Sequence, residues 1–104
     1  MIASVQRHED KEIRVRILKA LDLEFPRAMS LQMIVFALQS ARYDCAPGQV
    51  QAHLAYLEQK GYARSENVGL EDLDLRREMV SLTVQGKDLV EGNVPADPGV
   101  ILHG

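Results

Sequence analysis

Between Pro47 and Tyr62 the chain reads PGQVQAHLAYLEQKGY, and this stretch limits the fold more than any other. Val50, Leu54 and Leu57 recur at i, i+4 and i+7, the spacing that lines one stripe of a helix. The opposite arc carries Gln49, Gln51, Ala52, Ala55, Tyr56 and Gln59, none of them charged. A solvent-facing helix surface ordinarily carries charges, so small and hydrogen-bonding residues suit a face that touches something. Gly61 ends the helix, because only glycine enters the left-handed conformation of a C-terminal cap without steric cost. Two short apolar-alternating runs follow, near 63–68 and 78–84, with the charged loop GLEDLDLRR between them.

Upstream, residues 2–22 read as a first helix, with Ile13, Ile17, Ala20 and Leu21 on one face. Asp10–Arg14 and Glu12–Arg16 are i,i+4 pairs of favourable orientation, each contributing about 0.3–0.5 kcal/mol. Arg7, Lys11 and Arg14 line one flank, which reads as solvated. Leu23–Met29 is a connector containing Pro26, and Ser30 is a good N-cap for a second helix. Met29 and Ile34 hold the two positions of a hydrophobic staple. Leu31, Ile34, Val35 and Leu38 form the clearest amphipathic pattern in the chain, widened by Met33 and Phe36. Residues 41–46 are the turn into the third helix, where Pro47 fits the first helical position. Ala46 is a poor N-cap and Gly48 sits in the first turn, so tertiary packing must hold this helix start.

EMVSLTV then alternates Met79, Ser81 and Thr83 against Val80, Leu82 and Val84. Thr83 caps a short last helix, Val84 to Glu91, with Gly92 just past its end. This gives a domain over 1–92 and an extended or mobile tail over 93–104. The expected core is Ile13, Ile17, Leu21, Leu31, Ile34, Val35, Leu38, Val50, Leu54, Leu57, Val80 and Leu82.

A chain of 104 residues has room for one domain and one modest core. With three tyrosines, two phenylalanines and no tryptophan, that core is aliphatic. No apolar signal segment precedes the early charges, and no run approaches the ~18 apolar residues of a membrane helix. Cys45 is alone, so no internal disulfide forms. A cytoplasmic protein with no membrane partner is expected. The net charge of −3 weighs against nucleic acid, since phosphate neutralisation favours a basic balance.

The pattern V-x3-L-x2-L-x3-G-Y, a hairpin, then SLTVQGKDLVEG resembles winged helix-turn-helix proteins of the broad ArsR/MarR type. The corresponding segments there are the recognition helix, the wing and an L-T-x-x-G-x-x-x-x-x-G stretch closing the domain. The resemblance covers residues 10–92. The chain is similar more narrowly to a family of small winged-helix proteins of Mu-like phages and prophages, through its Gly92–Asn93–Val94–Pro95 tail as well. What this implies is an α+β fold: a three-helix core, a two-stranded β-hairpin wing and a short C-terminal helix. It implies a small DNA-binding regulator of transcription. Gln49, Gln51, Ala52, His53 and Tyr56 of the third helix would face the major groove of double-stranded DNA, and Arg76 and Arg77 its phosphates.

The residues also depart from that pattern. Recognition helices of DNA-reading relatives commonly present arginine, threonine or serine. Glutamine can still pair with adenine, and alanine can touch a thymine methyl. Over 64–78 the wing sets Arg64, Arg76 and Arg77 against Glu66, Glu71, Asp72, Asp74 and Glu78, a net charge of −2. An acidic wing favours an alternative, a winged-helix module that docks a protein through the same uncharged face.

No enzyme is expected. Asp44, Cys45 and His53 could be imagined as a nucleophile–base set, but they read as turn residues beside a helix. His53 lies about 60° from the centre of the buried stripe, a place for a partly buried, hydrogen-bonded ring or for a base or phosphate contact. His8, His53 and His103 share no ligand spacing, so neither metal nor cofactor is expected. The prolines of the tail exclude a long dimerisation helix. The spare apolar residues are Ile2, Val5, Val94, Val100, Ile101 and Leu102, which suit a monomer or a weak homodimer.

Overall fold

A computed structural model describes residues 2–70 and 75–100. The order is α1 (Ile2–Glu24), β1 (Met29–Ser30), α2 (Leu31–Ser40), α3 (Pro47–Gln59), β2 (Ala63–Leu70), β3 (Leu75–Leu82) and α4 (Val84–Glu91). The architecture is α+β, with an antiparallel sheet in the order β1–β3–β2. Glu71, Asp72 and Asp74 of the expected wing tip, and Ile101, Leu102 and His103 of the tail, lie outside the described residues.

Each helix boundary has a local chemical cause. Ser30 takes an extended backbone and its Oγ accepts the Met33 N–H at 3.2 Å. Ala46 offers α3 no side-chain acceptor, but Gln49 reaches back and its Oε1 accepts the Ala46 N–H at 2.8 Å. That is the reciprocal half of a capping box, and it stiffens the weak helix start. At the other end Gly61 adopts φ +81°. Its N–H donates to the Glu58 carbonyl and the Tyr62 N–H to the Leu57 carbonyl, both at 2.9 Å, which is a Schellman closure. Thr83 ties this turn to α4, since its hydroxyl donates to the Gly61 carbonyl at 2.6 Å and accepts from the Gly86 N–H at 3.0 Å. Position 86 must be glycine, because a Cβ there would collide with the Tyr62 carbonyl.

The sheet differs from the expected two strands. Met29 and Ser30, read as connector and cap, also pair with β3 as Met29↔Val80 and Ser30↔Met79. Two residues carry no alternation, so such a strand leaves no periodic trace in sequence. The hairpin of β2 and β3 is a continuous ladder from Ala63↔Leu82 to Leu70↔Leu75.

α1 is the hub of the core, touching α2, α3, α4 and β3. It therefore buries more than one face: Val15 and Leu18 join Ile13, Ile17 and Leu21 inside. Ile34, Leu38, Val50, Leu54, Leu57, Val80 and Leu82 are buried as expected, together with Cys45, Tyr62, Ala63, Leu89 and Val100. Leu31 and Val35, expected inside, pack on the core but stay partly exposed.

Leu54 is 1% exposed at the centre of this packing. Its truncation to alanine is expected to cost about 2–5 kcal/mol, measured by urea denaturation. An unchanged midpoint would contradict the assignment. Gly86→Ala should also destabilise, since the obstacle its Cβ meets is backbone that cannot step aside.

Candidate functional site

With Val50, Leu54 and Leu57 turned inward, α3 presents Gln49, Gln51, Ala52, Ala55, Glu58 and Gln59 to solvent. The hairpin stands along one flank of this face. There the Gln51 Nε2 donates to the Glu78 Oε2 at 3.3 Å, and the Glu58 Oε1 accepts the Ser65 N–H at 2.8 Å. Two carboxylates thus mark the seam between helix and hairpin. Glu58, left out of the uncharged arc in the sequence reading, belongs to its edge.

The other flank is covered. His53 is 9% exposed; its Nδ1 accepts from the Arg14 Nε at 3.3 Å, and its Nε2 lies 3.6 Å from the Asp10 Oδ1. The ring faces α1 rather than solvent. Tyr56, outward by helical phase, is half-buried, with the Arg14 guanidinium 3.9 Å above its ring centroid. Arg14 also donates from Nη1 to the Gly99 carbonyl at 3.2 Å. Arg14, expected on a solvated flank with Arg7 and Lys11, is instead the post on which Tyr56, His53 and the tail converge.

Residues 97–100, expected to be extended or mobile, turn back against α1 and α3. Asp97 is buried: its Oδ2 accepts from the Tyr62 hydroxyl and its Oδ1 from the Gly99 N–H, both at 2.7 Å, with the Lys60 ammonium 3.5 Å away. Val100 is 3% exposed. Gly99 lies so close to Tyr56 that a Cβ would collide with the phenolic hydroxyl.

Arg76 and Arg77 pair with Gly69 and Val68 on successive rungs of the hairpin ladder. Glu78 holds the α3 side through Gln51, so its neighbour Arg77, which is exposed, faces away. The Arg76 side chain lies outside the described residues.

Asp44, Cys45 and His53 do share a cleft of about 290 Å³ with Glu9 and Asp10. Its chemistry is quiet. Burial, reinforced by Asp10, Asp44 and Glu9, pushes the Cys45 thiol up and keeps it protonated. Burial and then Arg14 lower the His53 pKa against the opposing pull of Asp10. Among the described residues no group of three or more His, Cys, Asp or Glu is placed to hold a metal ion.

These shifts set a pH dependence. A neutral His53 in the fold and an ordinary one in the unfolded chain mean that the unfolded state takes up the extra proton. Stability should therefore fall as the pH drops from about 6.5 towards the lower folded value. His53→Gln should flatten that part of a melting-temperature profile relative to wild type; identical slopes would contradict the buried neutral ring. For Asp97 burial raises the pKa, but the bonds from Tyr62 and Gly99 and the charge of Lys60 outweigh it, leaving the carboxyl below its usual range. Its contribution is complete above the ordinary carboxylate range and is lost only as pH falls through the lower folded value. The tail should accordingly remain docked at pH 5, as amide exchange of Gly99 and Val100 would report.

Among the described residues no helix is long and apolar enough to cross a membrane. Compared with known proteins, the chain matches no family model, no curated protein and no solved structure.

Proposed function

We propose that this chain is a winged helix-turn-helix protein, of the small phage type, that binds duplex DNA and regulates transcription in the cytoplasm. One observation carries the reading. α2, a short turn and α3 leave the outward face of α3 uncovered beside a paired hairpin, the arrangement in which a helix can enter a major groove. The step from that arrangement to DNA is one of fold analogy. Gln49, Gln51 and Ala52 would meet base edges, with the Gln51 amide exchanging Glu78 for an adenine. Arg77 and Arg64 on the hairpin, and Arg42 in the turn before α3, are exposed and would supply phosphate contacts. His53 and Tyr56 would support α3 from behind rather than touch DNA.

A second reading is favoured by Glu58 and Glu78, whose carboxylates border the same face. Carboxylates repel phosphate but can pair with a basic protein surface, so the face would then dock a protein.

Filter binding to mixed-sequence duplex across a salt series separates the two. With three arginines at the phosphates, the slope of log K against log salt should be about −3, and binding should fade towards physiological salt. Glu78→Gln removes a repulsive charge and should tighten binding about several-fold. No binding to duplex at low salt, by wild type or by Glu78→Gln, would overturn the DNA reading.

A further inference from the structure

The side chains that hold residues 97–100 in place are all donors. Arg14 donates from Nη1 to the Gly99 carbonyl at 3.2 Å, and the Tyr62 hydroxyl donates to the Asp97 Oδ2 at 2.7 Å. The Lys60 ammonium lies 3.5 Å from the same carboxylate oxygen. In these contacts the segment offers only oxygen acceptors, one carboxylate and one carbonyl. A guanidinium, an ammonium and a tyrosine hydroxyl are also among the donors that hold DNA phosphates. The segment thus presents to this flank the chemistry that a phosphate backbone would.

A helix laid in a major groove has a phosphate backbone along each of its flanks. On the hairpin flank of α3, Arg64 and Arg77 are exposed. On the opposite flank two cations converge on the Tyr56 ring, Arg14 at 3.9 Å and Lys60 at 5.7 Å from its centroid, and residues 97–100 engage both. Arg14 has supports besides the tail, since its guanidinium also rests on Tyr56 and donates to His53. Withdrawal of Gly99 would therefore leave its Nη1 held in place without an acceptor. Residues 92–96, which join α4 to the segment, are all exposed and begin at the left-handed Gly92. Of the described tail residues only Val100 belongs to the apolar core, so the segment can leave while α4 stays seated.

We propose that residues 97–100 are an autoinhibitory clasp occupying a phosphate site, formed by Arg14 and Lys60, on the flank of α3 away from the hairpin. This rests on the reading of α3 as a DNA-binding face. With the clasp shut, duplex meets Arg42, Arg64 and Arg77 alone. With it open, Arg14 and Lys60 add two contacts on the second backbone, and the tail no longer stands between that backbone and the helix.

Two full-chain variants open the clasp without changing any charge. Gly99→Val drives a side chain into Tyr56, and Tyr62→Phe removes the hydroxyl that holds Asp97. Circular dichroism shows that each variant folds, and amide exchange at Val100 shows that the segment has left. Filter binding to mixed-sequence duplex should then tighten about tenfold at low salt. The slope of log K against log salt should steepen from about −3 to about −4.5, as about five phosphate contacts replace three. Lys60→Gln should weaken duplex binding about several-fold in the Gly99→Val background. In the otherwise native chain, where Asp97 already engages the ammonium, it should change little. An undocked segment with native affinity and slope would overturn the clasp and leave the DNA reading standing. Absence of duplex binding by every one of these chains would overturn that reading, and the clasp with it. The clasp also falls if 97–100 stays docked in both variants, or if Lys60→Gln costs the same in both backgrounds.

Discussion

The seating of the Val50–Leu54–Leu57 stripe against the core built on α1 and α2 is the contact on which the rest of the structure depends. Each of these side chains is at most 1% exposed, and full burial of an aliphatic side chain is worth about 1.5–3 kcal/mol. The same burial fixes the rotation of α3 about its own axis. A helix seated by three inward side chains has no freedom over what it turns outward, so Gln51, Ala52, Ala55 and Gln59 form the outer face by consequence. The Schellman turn at Gly61 then sets where the chain leaves the helix, and Thr83 bolts that turn to the start of α4. The hairpin is therefore held at a fixed place beside the α3 face from both of its ends.

Arg14 does for one flank what the apolar stripe does for the underside. Its guanidinium stacks on Tyr56, donates to His53 and reaches the Gly99 carbonyl, so one cation organises a helix, a buried imidazole and the 97–100 segment. A guanidinium over an aromatic face is worth about 0.5–2 kcal/mol, more as water is excluded. Asp97 completes the clasp by accepting from Tyr62 and facing Lys60. The 97–100 segment packs against this flank, which narrows the free surface of α3 towards the arc nearest the hairpin.

Which parts were legible follows from how far apart the cooperating residues lie. The helices, the Ser30 and Thr83 caps and the Gly61 and Gly92 stops are decided within a few residues, and the pattern of the chain announces them. The hairpin was legible from its alternation, though β1 was not, because two residues have no period. The docking of the tail was invisible for a different reason: Arg14 and Gly99 are separated by 85 positions, and nothing local in PADPGV signals a partner. Tyr56 changed character for the same cause. Helical phase placed it on a free face, but phase cannot register a neighbour that arrives from elsewhere in the chain, whereas the partly buried, hydrogen-bonded ring that phase allowed for His53 is the one observed. The backward reach of Gln49 to Ala46 was hidden at short range, since phase registers only the outward placement that the structure also gives it.

Physical forces on the α3 face pull in two directions. Its shape and exposure suit a groove, while Glu58 and Glu78 set negative charge where phosphates would pass. The most direct measurement is an amide NMR titration of the full chain with a short mixed-sequence duplex at low salt. The account expects shift changes concentrated at Gln49, Gln51, Ala52 and Ala55 and at Arg64 and Arg77, with Leu54, Leu57 and the Gly99 clasp little moved. Spectra left unchanged along α3, or changes confined to surfaces away from it, would contradict the claim that this face is where the protein meets DNA.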